Sequence, residues 1–395
     1  MKKTVAISIA AVAVLNAASS DEISVMEGVS GEIRTAYVSQ DNRIDTDTYG
    51  TSIGGILKYD SAAWNNLRFG IGAYISQKLN FLTGSMSDER SNPDLFGKET
   101  RPYAYIGEGY ADYMNDGFSL RVGRQKIDIP FADTDDIRMH PNSFEAALAT
   151  YRGVDETTFT GGYISRWAGY DSGDDISKFK KLAQDSNGAV VAGVSNDSIE
   201  NLELDGWYFG VDNLSDIFYG NITYTADLNN TANVELTGQW TQFNAKNNSL
   251  VEGNIYGIGV DVTMGMLTLG AEYNKASSPD GKHISSGFGN GPYVVDTEEV
   301  DLDDFEDVKA YQFNAQLDME EYGTLSAGYT KFKSIPQRTE VDEIDLIAMY
   351  NITEAINAEV NYVIVNDKNN NSADDGISSY DGGYNRLMVR LKYSF

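Results

Sequence analysis

The sequence predicts an all-β protein, a transmembrane antiparallel β-barrel of about 18 strands, with 16 strands as the alternative. Three observations lead to this fold class. Apolar and polar residues alternate with a period of two along many separate segments. The 395 residues include 38 Gly, 25 Tyr and 16 Phe but only 7 Pro, a composition that favours strands and turns. Short polar connections alternate with long ones, as expected for short periplasmic turns and long extracellular loops.

The N-terminal segment is typical of a secretory signal peptide. Lys2 and Lys3 precede an apolar run over residues 5–15, and small residues follow before Asp21. A single membrane-spanning helix is the alternative, but the run is shorter than the roughly 20 residues that such a helix needs. We therefore expect residues 1–19 to be cleaved and residues 20–395 to form the barrel. Losing two lysines changes the net charge of −29 by −2, to −31.

Charge and cysteine content exclude several classes of function. The chain has 59 Asp and Glu against 30 Lys and Arg, which argues against nucleic acid as a partner and makes cations the natural counterpart. The absence of Cys excludes disulfides, thiolate metal sites and a cysteine nucleophile. The two histidines, His140 and His283, lie in no recognisable catalytic motif, and no nucleotide-binding fingerprint is present. We therefore do not expect an enzyme.

The C-terminal segment has the clearest strand pattern. Its apolar face comprises Leu387, Val389, Leu391, Tyr393 and Phe395, and its other face comprises Arg386, Met388, Arg390 and Lys392. The length fits a tilted strand that crosses a bilayer. An edge strand of a soluble sandwich is the alternative, but such a strand would not require a whole face to suit lipid. The terminal aromatic also resembles the ends of Gram-negative outer-membrane proteins.

Earlier segments repeat this alternation. They comprise residues 33–37, 53–59, 67–75, 267–273, 311–319 and 356–364. Alternation alone also fits a soluble sandwich. The many long strands and a mean hydropathy of only −0.36 favour a barrel with a polar lumen. With both ends in the periplasm, the segments number about 18; the uncertain pair is 188–194 and 201–211, without which the count is 16.

A set of short motifs carries a family resemblance. The motifs are LRVGRQK at 120–126, PF at 130–131, DIRM at 136–139, PNSFE at 141–145, GY at 162–163, WAGY at 167–170, GWY at 206–208 and GNIYG at 253–257. Together they resemble the OprD-type outer-membrane porins of Gram-negative bacteria, and most closely the major outer-membrane porins of Campylobacter and its relatives. The resemblance implies an 18-strand barrel that forms a homotrimer, with a third loop that folds inward to narrow the pore.

The resemblance also implies a function. We expect a multi-pass outer-membrane porin that passes small hydrophilic solutes and ions by diffusion. The net charge of −31 after cleavage and the acidic third loop predict a weak preference for cations. A substrate-specific channel for amino acids or small carboxylates is one alternative, and a surface adhesin or structural barrel is another. The expected partners are outer-membrane lipid and lipopolysaccharide, small hydrophilic solutes and further copies of the chain.

No cofactor is expected. The acidic run at residues 296–304 could bind Ca²⁺ through its carboxylates, but it lacks the residue order and the Gly of an EF-hand. The alternative is that this run is solvated surface.

Candidate pore-lining acids lie in and after the predicted third loop, residues 127–142. Asp133, Asp135 and Asp136 would stand where the pore is narrowest, and Glu145 follows on the next strand. The alternative for the aspartates is that they cap a turn, since Asp bonds readily to its own backbone.

Candidate pore-lining bases lie on the predicted inward faces of the first, second, third, fifth and last strands. They are Arg34, Lys58, Arg68, Arg121, Arg386 and Arg390. The first and last strands must pair to close a barrel, so these bases should form one wall opposite the acidic loop. Such a wall would set a field across the pore. Local pairing or snorkelling at the rim is the alternative.

Overall fold

The computed structural model describes residues 28–79, 90–173, 175–336, 338–368, 380 and 382–395. The predicted signal peptide and the first residues of the predicted mature chain lie outside the described residues. Nineteen strands occur in the described part of the chain. Their bounds are β1 Val29–Asn42, β2 Thr48–Asp60, β3 Leu67–Lys78, β4 Tyr103–Asn115, β5 Phe118–Gln125, β6 Ser143–Val154, β7 Thr157–Ala168, β8 Lys180–Lys181, β9 Ala189–Ile199, β10 Leu202–Val211, β11 Ser215–Asn229, β12 Ala232–Ala245, β13 Gly253–Met264, β14 Leu267–Ser277, β15 Val308–Asp318, β16 Gly323–Ser334, β17 Thr339–Asn351, β18 Ile356–Asp367 and β19 Tyr384–Ser394.

Eighteen of these strands form one closed antiparallel wall. Each pairs with the next along the chain, and β19 pairs with β1, where Ile33 lies opposite Tyr393. The two-residue β8 only extends the edge of β7, which pairs with β9 directly. The predicted fold class and the count of 18 are therefore confirmed. The uncertain pair of segments forms β9 and β10, and β9 runs on to Ile199.

The wall has an apolar outer face and a polar inner face. Leu57, Ile71 and Ile258 are half exposed or more on the outside, whereas Arg34 and Arg386 on the inside are almost fully buried. A surface of exposed aliphatic and aromatic side chains is what lipid requires. No helix in the described part of the chain has the length and apolar character needed to span a bilayer.

The main buried cluster lies inside the barrel and includes residues from loops. Phe131 of the third loop (126–142) and Phe288 and Val300 of the seventh loop (278–307) pack with Phe209 and Phe243 of the wall. Apolar burial by these loops fastens them within the barrel, since each buried Phe or Val contributes roughly 1.5–3 kcal/mol. The predicted inward fold of the third loop is confirmed, and the seventh loop folds inward as well.

We expect Val389→Asp to lower the yield of folded barrel. Val389 lies opposite Tyr37 on one side and Val360 on the other, within the outward face of the closing strand. A charge there costs less than the about 2–4 kcal/mol of a midplane Arg or Lys, but it acts where the barrel closes. Heat-modifiable migration on a gel measures the folded fraction. Val389→Ala is the matched control and should fold normally; equal yields for the two variants would contradict the outward placement.

Candidate functional site

The third loop crosses the whole lumen. At one end, the ring of Phe131 packs edge-on against Phe209 at 5.6 Å and Phe243 at 5.8 Å, on β10 and β12. At the other end, Asp136 binds Arg34 on β1. In an 18-strand barrel, β1 and β10 stand on opposite sides, so the loop reaches from one side of the lumen to the other.

Two arginines of the wall hold the acidic end of this loop. Arg34 places its Nη2 2.5 Å from Oδ2 of Asp136 and 2.5 Å from Oε1 of Glu32. Arg390 donates to the carbonyl oxygens of Asp136 at 2.7 Å and Arg138 at 2.9 Å. Burial alone would raise the pKa of Asp136, but the hydrogen bonds and charge of Arg34 outweigh it and hold that pKa below its usual value. Asp136 therefore fastens the loop as a paired ion.

A second ion network ties three loops to β19. Arg386, 1% exposed, lies 2.6 Å from Asp94 of the second loop (79–102) and 2.5 Å from Glu299 of the seventh. Arg138 of the third loop lies 3.2 Å from the same Glu299 and stacks its guanidinium 4.3 Å from the ring centre of Tyr170. Burial would raise the pKa of Asp94, but Arg386 and Arg138 together lower it. The positive charges of this network are consequently compensated within it.

The remaining predicted bases form a separate group nearer the periplasmic turns. Lys58 lies 3.2 Å from Glu108, and Arg121 lies 2.9 Å from Asp112 and 4.2 Å from the ring centre of Tyr110. Arg68 is opposite Asp112 in the register of β3 and β4. All six bases lie on the stretch of wall that runs from β19 through β1 to β5. Of these, Arg34, Arg386 and Arg390 contact loop residues. Lys58 and Arg121 instead pair with carboxylates of the wall itself. These local ion pairs neutralise the charges that were expected to set a field between the loop and the wall.

The other two loop aspartates have different surroundings. Asp133 accepts the backbone N–H of Asp135 at 2.6 Å, which is the turn-capping interaction. Asp135 instead faces a cavity shared with Asp171. Burial, and then the neighbouring charge of Asp171, raises the pKa of Asp135 to about 8. The three aspartates therefore divide into a paired ion, a turn cap and a cavity-lining acid.

Glu145 lies outside the lumen. It is opposite Arg124 and Arg166 in the sheet and forms ion pairs with them at 3.0 and 3.9 Å. Arg124 follows the outward-facing Val122 by two positions, so Arg124 and the Glu145 and Arg166 beside it point away from the pore. Its assignment to the pore is corrected: the sheet register turns this carboxylate toward the membrane side.

A large acidic cavity lies between the third and seventh loops and strands β12 to β17. Its volume is about 800 Å³. We call it the acidic chamber. Its lining includes nine carboxylates against one guanidinium, that of Arg138, so its field favours cations. The nine acids are Asp135, Asp171, Asp261, Glu272, Asp296, Glu298, Glu299, Asp301 and Asp345.

Glu343 holds the seventh loop against this chamber. Its two carboxylate oxygens accept the backbone N–H groups of Glu299 and Val300, each at 2.9 Å. Val300 and Leu302 are buried. The run 296–304 is therefore only in part solvated surface: Asp296, Asp301 and Asp304 are exposed, whereas its apolar residues are buried. The sequence signal that could have shown this is the apolar residues Val295, Val300, Leu302 and Phe305, which a purely solvated acidic loop would not need.

The strand acids of the chamber are buried and incompletely hydrogen bonded. Glu272 is 7% exposed and accepts from Asn314 at 2.9 Å through one oxygen, while its other oxygen has no partner among the described residues. Asp345 is 6% exposed and likewise has one oxygen without a partner there. Buried carboxylate oxygens without donors are costly. Each of these two carboxylates therefore has one oxygen that can accept a further hydrogen bond.

Two further observations bear on the chemistry of the lumen. Among the described residues, no group of three or more His, Asp or Glu side chains is arranged to hold a metal ion. His140 is buried among Tyr74, Tyr103 and Tyr105, and burial lowers its pKa to about 4, so the ring is neutral at pH 7.

Comparison with known proteins identifies relatives of this architecture. A family model described as outer membrane porin, OprD family, matches residues 27–366. Among solved structures, Acinetobacter baumannii OccAB4 is similar, with a TM-score of 0.79, 15% identity and coverage of 93% of this chain and 97% of that chain. Pseudomonas aeruginosa OccK9 (OpdG) has a TM-score of 0.77 at 15% identity, over 93% and 97% of the two chains. No curated protein sequence matches the chain significantly.

Proposed function

Because this chain belongs to the OprD family of outer-membrane porins, we propose that it is a passive diffusion pore for small hydrophilic solutes and ions with a preference for cations. Family porins are channels of the outer membrane, and the 18-strand barrel has the outer face that this location requires. The closer relation to the porins of Campylobacter is part of the same proposal.

The acidic chamber carries the cation preference. The arginines that face the loops, Arg34, Arg386 and Arg390, each lie 2.5–2.6 Å from a carboxylate, so little positive field remains for anions. The chamber carboxylates outnumber the bases beside them. Fixed negative charge along a narrow path raises the local concentration of cations and repels anions.

Reversal potentials across a planar bilayer under a salt gradient test this proposal. We expect current through the purified barrel to be carried mainly by the cation at low salt, and the preference to shrink as salt approaches about 1 M, where the Debye length is about 3 Å. A preference for anions at low salt would show that the paired arginines still control the field. Absence of ohmic current would favour the structural or adhesive barrel instead.

The cation preference should rise with pH. The pKa of Asp135 is raised to about 8 by burial and by Asp171, and that of Asp301 to about 8 by burial and by Asp303. An acid with a raised pKa is neutral below that value and gains its charge as pH increases through it. Reversal potentials measured from about pH 6.5 to about pH 9.5 should therefore show a growing cation preference. A flat profile would mean that neither carboxylate faces the ion path.

A substrate-specific channel is the second candidate. The chamber volume of about 800 Å³ suits an amino acid, and its unpaired carboxylate oxygens suit ammonium and guanidinium groups. We propose that, if the channel is selective, basic amino acids pass in preference to small carboxylates. Liposome swelling with lysine and with succinate distinguishes the two classes of solute.

The proposed partners are lipopolysaccharide and outer-membrane lipid at the outer face, and two further copies of the chain in a trimer. We propose that passage needs no resident cofactor; Ca²⁺ bound by the seventh-loop carboxylates is the alternative, which calcium titration of the purified barrel tests.

A further inference from the structure

Three lysines lie side by side on the outer face of the barrel. In the sheet register, Lys275 of β14 is directly opposite Lys309 of β15, which is directly opposite Lys333 of β16. Opposed residues of neighbouring strands point to the same face and have Cβ atoms about 5 Å apart. We call these three residues the lysine row.

The lysine row stands at the extracellular edge of the apolar belt. Lys275 and Lys309 immediately flank the ends of the seventh loop, and each lies two residues beyond a tyrosine, Tyr273 or Tyr311. The two tyrosine rings face each other with centres 5.0 Å apart. Outward tyrosines mark the boundary between hydrocarbon and headgroups in barrels. Two residues along a strand span about 7 Å, which puts the ammonium groups at the level of lipid headgroups.

Two of the three lysines lack compensating charge within the described part of the protein. Like charges directly opposite each other destabilise a sheet. Within the described ranges, Lys275 and Lys309 have no carboxylate within ion-pair distance, and Lys333 reaches only Glu340, at 3.8 Å. Glu340 is shared with Lys331 at 2.6 Å and Lys368 at 3.1 Å. In a chain that carries a net charge of −29, two adjacent uncompensated lysines and a third that shares its one carboxylate with two other lysines point to an external anion.

We propose that the lysine row binds the phosphate groups of a phosphorylated glycolipid of the outer leaflet, the lipopolysaccharide. The strands below the row present apolar side chains that acyl chains can cover, among them Ile258, 63% exposed, and Phe313, 61% exposed. A lipid at this height would place its phosphate groups beside the lysines and its acyl chains against the apolar side chains below them. The inference builds on the lipid partner proposed above and gives it a location.

Binding of purified diphosphoryl lipid A to the full barrel in detergent, followed by native mass spectrometry, tests the assignment. The test variant is Lys275→Gln/Lys309→Gln/Lys333→Gln. The matched control, Lys98→Gln/Lys178→Gln/Lys246→Gln, removes the same charge from loop positions away from the row. Each lysine near the membrane surface strengthens binding of an anionic headgroup, so the test variant should bind lipid A at least roughly tenfold more weakly than wild type. The control variant should bind like wild type, and Lys→Arg changes at the three row positions should restore binding.

The possible results distinguish two hypotheses: that the lysine row binds the phosphate groups, and that the barrel binds outer-membrane lipid at all. Dephosphorylated lipid A should bind wild type and test variant equally, since the row would then have no anion to recognise. Wild-type affinity of the test variant for diphosphoryl lipid A would overturn the row assignment while leaving the lipid partner intact. No binding of lipid A to wild type would overturn both. If the test variant lost its oligomeric mass in light scattering but kept lipid A, the row would be a contact between copies and the proposal would be wrong. Heat-modifiable migration reports that each variant is folded.

Discussion

Replacing Arg386 by Met is expected to destabilise the barrel by about 3–5 kcal/mol and to increase its single-channel conductance. Arg386 is 1% exposed and neutralises Asp94 and Glu299 at 2.6 and 2.5 Å. Removing one partner of a buried ion pair leaves uncompensated buried charge, which is far more costly than losing a surface pair. The freed carboxylates should draw the second and seventh loops away from β19 into water, which would widen the path. Urea unfolding in lipid vesicles and planar-bilayer conductance measure the two effects.

Arg101→Met is the matched control for this substitution. Arg101 pairs with Glu99 at 2.6 Å, but both side chains are exposed, so its loss should change the free energy of unfolding by less than about 1 kcal/mol. In the double variant Arg386→Met/Asp94→Asn, part of the lost stability should return because one buried charge is gone. Wild-type stability and conductance of Arg386→Met would show that the three-loop network does not hold the loops in place.

Neutralising the strand acids of the chamber is expected to have the second large effect, a loss of cation selectivity. In the variant Asp261→Asn/Glu272→Gln/Asp345→Asn, we expect the cation-to-anion permeability ratio to fall at least about twofold at roughly 0.1 M salt, and much less at about 1 M. These three acids line the chamber and form no ion pair with a described residue. Folding should be preserved, because an amide of the same shape removes a buried charge. Reversal potentials provide the ratio.

The matched control removes three acids from the periplasmic turns, in the variant Asp116→Asn/Glu320→Gln/Glu354→Gln. These side chains are exposed and lie outside the lumen. The net charge of the protein changes equally, so a selective effect of the chamber variant would show that position, not total charge, sets selectivity. Equal shifts in both variants, or none in either, would count against the acidic chamber as the ion path.

The sequence alone determined the architecture of the wall. Apolar and polar residues alternate with a period of two along the strands, because one face must suit lipid and the other water. The closing strand could therefore be recognised from Val389 and its neighbours, and β1 could be placed beside it because a barrel has no free edge. The inward position of Arg34, Arg386 and Arg390 follows from the same parity. It agrees with the burial of Arg34 and Arg386 and with the 13% exposure of the Arg390 side chain.

The tertiary structure alone decided which charged side chains face the pore freely and which form ion pairs with one another. Glu145 sits on the outer face because the register with Arg124 places it there, and register between strands is not encoded in the alternation of either strand. Asp136 and Arg34 are 102 positions apart in the chain, and Glu343 reaches the backbone of a loop 43 positions earlier. Such contacts depend on how loops fold across an enclosed space. A loop residue has no periodic pattern to reveal its direction, because its position is fixed by the distant partners that bury it.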